Sequence, residues 1–208
     1  MNLLIVAATR FEIEPFLKEK TNIEILITSV GIPATIFHLT NKLVEKKFDL
    51  AIQAGIAGTF NNHFNIADTV LVKEDAFADL GIKEKGKFKT LFETGFQDKN
   101  DFPYTDGRLI NNHPYFEKNT LPAAKGITVN TVSDNHLQNQ FNKEKFAAEI
   151  ESMEGAAFHY VCLQQKINFL QLRSISNTVG ERDKAKWKIK SAIENLSHEL
   201  LKIIKEYK

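Results

Sequence analysis

Sulfur ligands are almost missing from this sequence. The single cysteine, Cys162, lies in an apolar stretch with helical spacing. One thiol can neither form a disulfide within the chain nor build a thiolate metal site, so Cys162 is expected to be a small buried side chain. The histidines show no ligand spacing either, and they stand at positions 38, 63, 113, 136, 159 and 198. No metal site and no cofactor are therefore expected.

An excess of charge is missing as well. Lys and Arg number 27 against 26 Asp and Glu, and the net charge is +1 with the basic residues spread along the chain. A protein that follows a phosphate backbone usually carries a basic stripe or cluster. Nucleic acid is therefore not expected as a partner.

Long hydrophobic runs are absent too. The apolar run near the start, residues 3–8, is too short to span a bilayer, and no basic region precedes it. An acidic segment follows it directly. These features predict the first β-strand of a cytoplasmic protein and no membrane partner.

Short apolar runs alternate with helical patterns along 208 residues, of which 43% are hydrophobic and 25% are charged. This composition suffices for one sizeable core, so a single domain over 1–208 is predicted. The alternation favours a three-layer α/β fold, with a central mixed sheet between helices. The predicted strands are 3–8, 23–29, 50–54, 69–73, 126–132 and 169–175. The predicted helices are 33–46, 154–165 and one from about 185 onward.

Residues 83–122 are of a different kind. They mix Lys, Gly, Asn, Asp and Pro with scattered aromatic residues and show little periodicity. Long ordered loops of this type are often lids or binding elements, and that is the prediction for this segment.

Four stretches have residues suited to chemistry, although each has an ordinary structural explanation. Glu12 follows Thr9 at the spacing of a helix capping box. The loop "AGIAGTF" lets backbone approach a ligand, but it lacks the spacing of known phosphate-binding loops, and a tight turn explains it equally. Glu154 stands at a helix start, where the dipole stabilises an acid. Asn177 would fit an Asx turn.

The order of these stretches along the chain is more specific than any one of them. A strand-end Glu, a Gly-Ile-Ala-Gly loop, "SMEGAA" and a final strand "RSISN" resemble the purine nucleoside phosphorylase-like family of nucleosidases. In the branch that cleaves methylthioadenosine and S-adenosylhomocysteine, this resemblance implies a catalytic Glu12 and a ribose grip by Met153 and Glu154. The loop residues expected to bind substrate are Gly55, Ile56, Ala57 and Gly58. That branch has a catalytic Asp where this chain has Asn177, a departure that points away from adenine.

A narrower resemblance rests on three segments, "ETGFQDKNDFPYTDGRLINN", "ESMEGAAFHYVC" and "RSISNTVGERDKAKWKI". They are similar to the futalosine hydrolases, a branch of the same family. This resemblance implies removal of hypoxanthine from the nucleoside futalosine in the alternative menaquinone route. It also implies a homodimer or larger homo-oligomer, in which a neighbour's loop completes the pocket. Composition and periodicity alone indicate only a soluble α/β protein.

The amide of Asn177 suits such a base. A departing purine carries a hydrogen on N7, and hypoxanthine has a carbonyl at C6 where adenine has an amino group. An amide has one acceptor and one donor arm, so Asn177 would accept the N7 hydrogen and donate to O6. Ser176 is expected to orient Asn177, and Arg173 to brace either the acidic centre or the Asn177 loop.

Two carboxylates match the needs of N-glycosidic cleavage, whose transition state resembles an oxocarbenium ion. Glu12 would orient and deprotonate water. Glu154 would accept hydrogen bonds from the ribose hydroxyls and favour the positive sugar ring. Met153 would pack against the sugar through its thioether.

The carboxylated aromatic end of futalosine also needs a site. Aromatic residues of 83–122 would form an apolar wall, and Arg182 or Arg108 would pair with the carboxylate. Arg182 and Asp183 would equally form a structural ion pair.

Two rival functions stay open at this point. A phosphorylase would need an anion site near the Gly-Ile-Ala-Gly loop, for which Arg10 and Thr59 are candidates, whereas Glu12 would repel phosphate. A nonenzymatic nucleoside-binding protein is the other rival. Release of free base, with and without phosphate, separates the three functions.

Overall fold

Runs of aliphatic and β-branched residues form the strands of the computed structural model, which describes residues 1–19, 21–60 and 63–207. The strands are β1 Leu3–Ala7, β2 Glu24–Ile27, β3 Leu50–Thr59, β4 Thr69–Asp75, β5 Gly81–Glu84, β6 Lys87–Thr90, β7 Leu109–Ile110, β8 Ala123–Thr128, β9 Ile150–Ser152 and β10 Phe169–Thr178. The helices are α1 Glu14–Leu17, α2 Ile32–Glu45, α3 Tyr115–Lys118, α4 His136–Lys145, α5 Gly155–Gln164 and α6 Ile189–Glu206.

Helices cover both faces of the central sheet, as the sequence predicted. In β1 the side chains of Leu3, Ile5 and Ala7 point to one face, and they pack in a cluster with residues of α1 and α6. Leu4 and Val6 alternate to the other face and pack in a cluster with residues of α2 and α5. Cys162 is buried in this second cluster, as expected. None of the described helices combines the length and the apolar character needed to cross a membrane.

The sheet is mixed and partly closes on itself. Its eight strands include the path β10-β4-β8-β9-β3-β1-β2, with β7 attached to β4. Strand β10 also pairs in parallel with β3. The strands β3, β10, β4, β8 and β9 therefore form a closed circuit, whereas β1 and β2 extend it as an open edge. Closure of this kind brings the carboxyl ends of distant strands to one place.

Several boundaries differ from the predicted ones. Strand β3 continues to Thr59, well beyond the predicted 50–54, so the Gly-Ile-Ala-Gly stretch is strand rather than a tight turn. Strand β8 starts at Ala123 and ends at Thr128, earlier than the predicted 126–132. Helix α6 begins at Ile189, because residues 184–186 form a separate 3-10 turn that the Asp183 side chain caps at Ala185 N, 3.0 Å away. The terminal residue 208 of the predicted helix lies outside the described residues.

Residues 83–122 have more structure than the sequence suggested. They contain most of the antiparallel β5–β6 hairpin, strand β7 and helix α3. Phe92 and Tyr104 pack edge to face with ring centroids 5.1 Å apart. Tyr104 belongs to a buried cluster with Leu109 and Ala156 of α5. Phe92 and Tyr104 therefore serve a local core, whereas Phe96 and Phe102 are exposed.

Candidate active site

A cavity of about 570 Å³ opens beside the carboxyl ends of β1, β3, β9 and β10. Ligands of open α/β sheets commonly bind at this end of the strands. The predicted site residues on its wall are Glu12, Ile56, Ala57, Gly58, Met153, Glu154, Ser176 and Asn177. Residues that were far apart in the sequence thus meet around one space large enough for a nucleoside.

Glu12 is a buried carboxylate that reaches the cavity wall. Its Oε2 accepts hydrogen bonds from Thr9 N and Thr9 Oγ1, each at 3.1 Å, and Thr9 Oγ1 accepts one from Glu12 N at 3.3 Å. These are the reciprocal contacts of a capping box, but they close the turn before α1 and do not cap that helix, whose N-cap residue is Ile13. Glu12 Oε1 in addition accepts a hydrogen bond from Ile56 N at 3.1 Å. The box therefore fixes a carboxylate that also faces the cavity.

Glu154 lies next to the buried guanidinium of Arg173. Its Oε1 accepts a hydrogen bond from Gly31 N at 3.1 Å, and its Oε2 is 3.6 Å from Arg173 Nη1. Burial raises the pKa of the Glu154 carboxyl above its usual value, Arg173 counteracts that shift, and the neighbouring Glu12 adds to it. Glu154 is the N-cap residue of α5, where the helix dipole favours an acid, although its side chain makes no capping hydrogen bond.

Arg173 and Gly55 stand behind the cavity wall. Arg173 Nη2 donates to Gln53 Oε1 at 2.9 Å, which together with the ion pair places this side chain at the acidic centre. A Cβ atom on Gly55 would collide with Arg173 Nη1 and would lie 2.9 Å from Glu12 Oε1. Gly55 was predicted to bind substrate, but it is not part of the cavity wall. Because Gly55 has no side chain, the Arg173 guanidinium and the Glu12 carboxylate can occupy the space beside it.

The amide of Asn177 is held in a defined orientation. Its Nδ2 donates to Thr178 O at 2.9 Å, and its Oδ1 accepts from Ser176 Oγ at 2.7 Å. A backbone carbonyl can only accept, so the NH2 group must be the arm that faces Thr178. One N–H and one lone pair of the amide are left for a ligand. The Asx-turn explanation is wrong, since Val179 N bonds to Thr59 O instead.

The structure overturns two expectations about arginines. Arg182 and Asp183 form no ion pair within the described part of the chain, because Asp183 caps the 3-10 turn and Arg182 lies over the Trp187 ring, 5.7 Å from its centroid. Arg108 is not on the cavity wall. Its guanidinium donates to Phe146 O and lies 3.7 Å from a carboxylate oxygen of Glu74.

The prediction that residues 83–122 form a lid is wrong for the cavity of the same chain, because none of these residues lines it.

Neither Arg10 nor Thr59, the candidates for a phosphate site, lines the cavity. Among the described residues, no three His, Cys, Asp or Glu side chains are arranged to hold a metal ion.

Trp187 and Glu151 are among the wall residues that sequence reasoning did not assign to the site. Trp187 lines the cavity, and its Nε1 donates to Glu181 O at 2.9 Å. Glu151 lines it from β9 and is 7% exposed. A signal existed for Trp187, because it is the sole tryptophan and follows a polar strand exit. Glu151 had no such signal, since its place depends on how β9 pairs.

A family model described as the Phosphorylase superfamily matches residues 8–207. This chain therefore belongs to that superfamily, as the resemblance of its motifs implied.

Two curated relatives of this chain are named futalosine hydrolase. The chain is 28% identical to a futalosine hydrolase of Thermus thermophilus over 223 aligned residues, which cover 98% of this chain and 95% of that protein. It is 26% identical to a futalosine hydrolase of Streptomyces coelicolor over 73% of this chain and 63% of that one.

Solved structures show the same fold. A 5′-methylthioadenosine/S-adenosylhomocysteine nucleosidase from Neisseria meningitidis matches with a TM-score of 0.80 at 16% identity, and 98% of each chain is covered. Futalosine hydrolase of Helicobacter pylori matches with a TM-score of 0.79 at 16% identity, over 98% of this chain and 97% of that one. The predicted fold class is confirmed.

Proposed function

We propose that this protein is a futalosine hydrolase, an N-glycosidase that uses water to release hypoxanthine from futalosine. The observation that carries the proposal is the meeting of Glu12, Glu154 and Asn177 around one cavity. The curated relatives with this name support it. The products are hypoxanthine and dehypoxanthine futalosine, as in the alternative menaquinone route.

The two carboxylates serve the sugar side of the reaction. As the bond from C1′ to the purine breaks, positive charge grows on the ribose ring, and the Glu154 carboxylate stabilises it while it accepts hydrogen bonds from the hydroxyls. Burial raises the pKa of Glu154, and the Arg173 guanidinium opposes that rise and so favours the ionised carboxylate. Glu12 takes a proton from water as the oxygen attacks C1′. Met153 packs against the sugar.

Asn177 serves the leaving base. As the bond to C1′ breaks, the purine keeps the bonding electrons and takes a proton on N7 from solvent. The free lone pair on Oδ1 accepts this N7 hydrogen, and the free N–H donates to O6 of hypoxanthine. Ser176 and Thr178 hold the amide ready for this pairing. In adenine, an amino group at C6 would instead face this N–H, donor against donor.

The phosphorylase alternative has less support. Glu12 is on the cavity wall, where its charge opposes phosphate, whereas Arg10 and Thr59 are not on that wall. The cations that do line the cavity are Arg182 and Lys184, and both come from the strand exit after β10. Of the two arginines considered for the carboxylated end of futalosine, Arg182 therefore stays the candidate.

We also propose a domain organisation, an oligomeric state and a cellular location for the enzyme. The cavity wall runs from Ala8 to Ile189, which supports one nucleosidase domain over 1–208. Phe11 and Val30 line the cavity while 55% and 53% exposed, and Phe37 of α2 is 62% exposed. Exposed apolar side chains beside a site support a homodimer or larger homo-oligomer whose partner covers them. We propose that the enzyme is located in the cytoplasm.

Purified protein is expected to release hypoxanthine from futalosine in phosphate-free buffer without added metal or cofactor. Inosine and methylthioadenosine, tested in parallel, should be cleaved more slowly, because one lacks the aromatic end and the other carries a 6-amino base. Chromatography of the free base measures all three reactions. A strict requirement for phosphate would establish a phosphorylase, and binding without base release would establish a nonenzymatic nucleoside-binding protein.

A further inference from the structure

Glu151 is a buried acid on the cavity wall to which the mechanism above gives no task. It is 7% exposed, and its carboxylate accepts no hydrogen bond from any residue within 1–19, 21–60 and 63–207. Because Glu151 lines the cavity, its carboxylate lone pairs are available to a hydrogen-bond donor of a bound ligand.

The pairing of β9 with β3 puts Glu151 near Asn177. Glu151 is the antiparallel partner of Gly58. Side chains of directly opposed residues lie on the same face, with Cβ atoms roughly 4.5–5.5 Å apart. A Cβ on Gly58 would lie 3.3 Å from Asn177 Nδ2, so that face is the one that carries the amide. The same Cβ would lie 3.0 Å from Val179 Cγ2, so the missing side chain of Gly58 leaves room for Val179 beside the amide.

We propose that Glu151 reads N1 of the purine: its carboxylate accepts the N1–H of a 6-oxopurine while Asn177 holds O6 and N7. This inference rests on the proposed function and deepens it. Hypoxanthine has a hydrogen on N1, next to O6, whereas adenine has a lone pair there. A carboxylate acceptor therefore complements the first base and opposes the second. Glu151 is a specificity-determining residue, and the proton transfers of bond cleavage do not pass through it.

The charges around Glu151 make this selection depend on pH. Burial raises the pKa of Glu151 to about 7; Asp79 adds to the shift and Arg182 opposes it. The other charged groups on the wall from the β10 exit are Glu181, which is 2.9 Å from Lys186, and Lys184. Above this pKa the carboxylate accepts the N1–H. Below it, the protonated carboxyl has a hydrogen to donate to N1 of a 6-amino purine, so falling pH shifts preference toward that base.

The test is the ratio of kcat/KM for futalosine to kcat/KM for aminofutalosine, its 6-amino counterpart, at pH 6 and pH 8. A group with this pKa is roughly one-tenth ionised at pH 6 and nine-tenths at pH 8. The wild-type ratio should rise by about fivefold over that interval, since the protonated carboxyl keeps one acceptor oxygen. Ionisation of a group that acts on the sugar affects both substrates and cancels in the ratio.

Two variants separate this role from a structural one. Glu151→Gln keeps the shape but does not titrate, so its ratio should be the same at both pH values. Asp79→Asn removes a charge that raises the pKa of Glu151, so the rise in the ratio should move to lower pH. A wild-type ratio that does not change with pH, or one that changes equally in Glu151→Gln, overturns the inference.

Calorimetry of the free bases distinguishes failure of this inference from failure of the proposed function. At pH 8 the wild type should bind hypoxanthine about fivefold more tightly than 1-methylhypoxanthine, which lacks the N1 hydrogen, and Glu151→Leu should lose the preference. Equal affinities, or no binding of hypoxanthine, overturn the role of Glu151. Normal base preference without cleavage of futalosine would overturn the proposed function alone.

Discussion

Replacing Glu12 with Gln is expected to lower kcat for futalosine by at least about 10²-fold, the lower end for a lost general base. KM should change little, because the remaining wall of the cavity still binds the nucleoside. An amide cannot take the proton from water, although it keeps the size of the side chain. Steady-state kinetics with wild type and variant, together with thermal unfolding, measure the effect.

Thermal unfolding is needed because Glu12 also holds local structure. Its two oxygens accept from Thr9 and Ile56, so in the Gln variant an NH2 group must face one of these N–H donors. An unpaired buried donor costs on the order of 1–3 kcal/mol, which a folded protein can tolerate. Glu14→Gln is the matched control, since Glu14 is an exposed acid of the same segment that is not on the cavity wall. Near-normal turnover of the Glu12→Gln protein would reduce Glu12 to its role in the turn before α1.

Replacing Asn177 with Asp is expected to move the ratio of kcat/KM values by at least about tenfold toward aminofutalosine, equivalent to roughly 1.4 kcal/mol of differential transition-state binding. The carboxylate would face the O6 carbonyl of hypoxanthine, acceptor against acceptor. The amino group of adenine would instead give it a second hydrogen. Futalosine cleavage should fall, and kinetics of both proteins on both nucleosides measure the shift.

Full inversion of specificity is not expected. In the Asp variant a carboxylate oxygen would replace the Nδ2 that now donates to Thr178 O, so the new side chain would turn away from the orientation of the amide. Asn168→Asp is the matched control, because this exposed residue lies just before the opposite end of β10 and gains the same charge there. A ratio that is unchanged in Asn177→Asp would mean that other residues of the cavity recognise the substituent on C6 of the purine.

The elements that the sequence predicted well have a clear local pattern. The apolar run of β1 and the apolar stripe of α6 place these elements correctly, although α6 starts later than expected. Helix α4 was missed because its sequence, "HLQNQFNKEK", is polar on most sides. A signal was present nonetheless: the Asn135 side chain caps the helix by accepting from Leu137 N at 3.0 Å and Gln138 N at 3.1 Å.

The site was predictable only in part. Glu12, Glu154 and Asn177 follow from motif order, because each stands at the end of a strand or the start of a helix that the sequence shows. Glu151 belongs to β9, a strand of three residues whose partners are β3 and β8. Which face a side chain of so short a strand presents depends on its register with those partners, and a sequence alone does not contain that register.

The site can form only after β10 has been synthesised, because β10 pairs in parallel with β3. Phe169 pairs with Ala51, and the whole ladder from there to Thr178 joins segments from opposite parts of the polypeptide. Ribosomes add about 5–20 residues per second, and contacts between distant segments form late and slowly. While the chain is being made, β3 therefore emerges long before its partner strand β10 exists. Until then, the exposed edge of β3 is the surface most open to misassociation or to a chaperone.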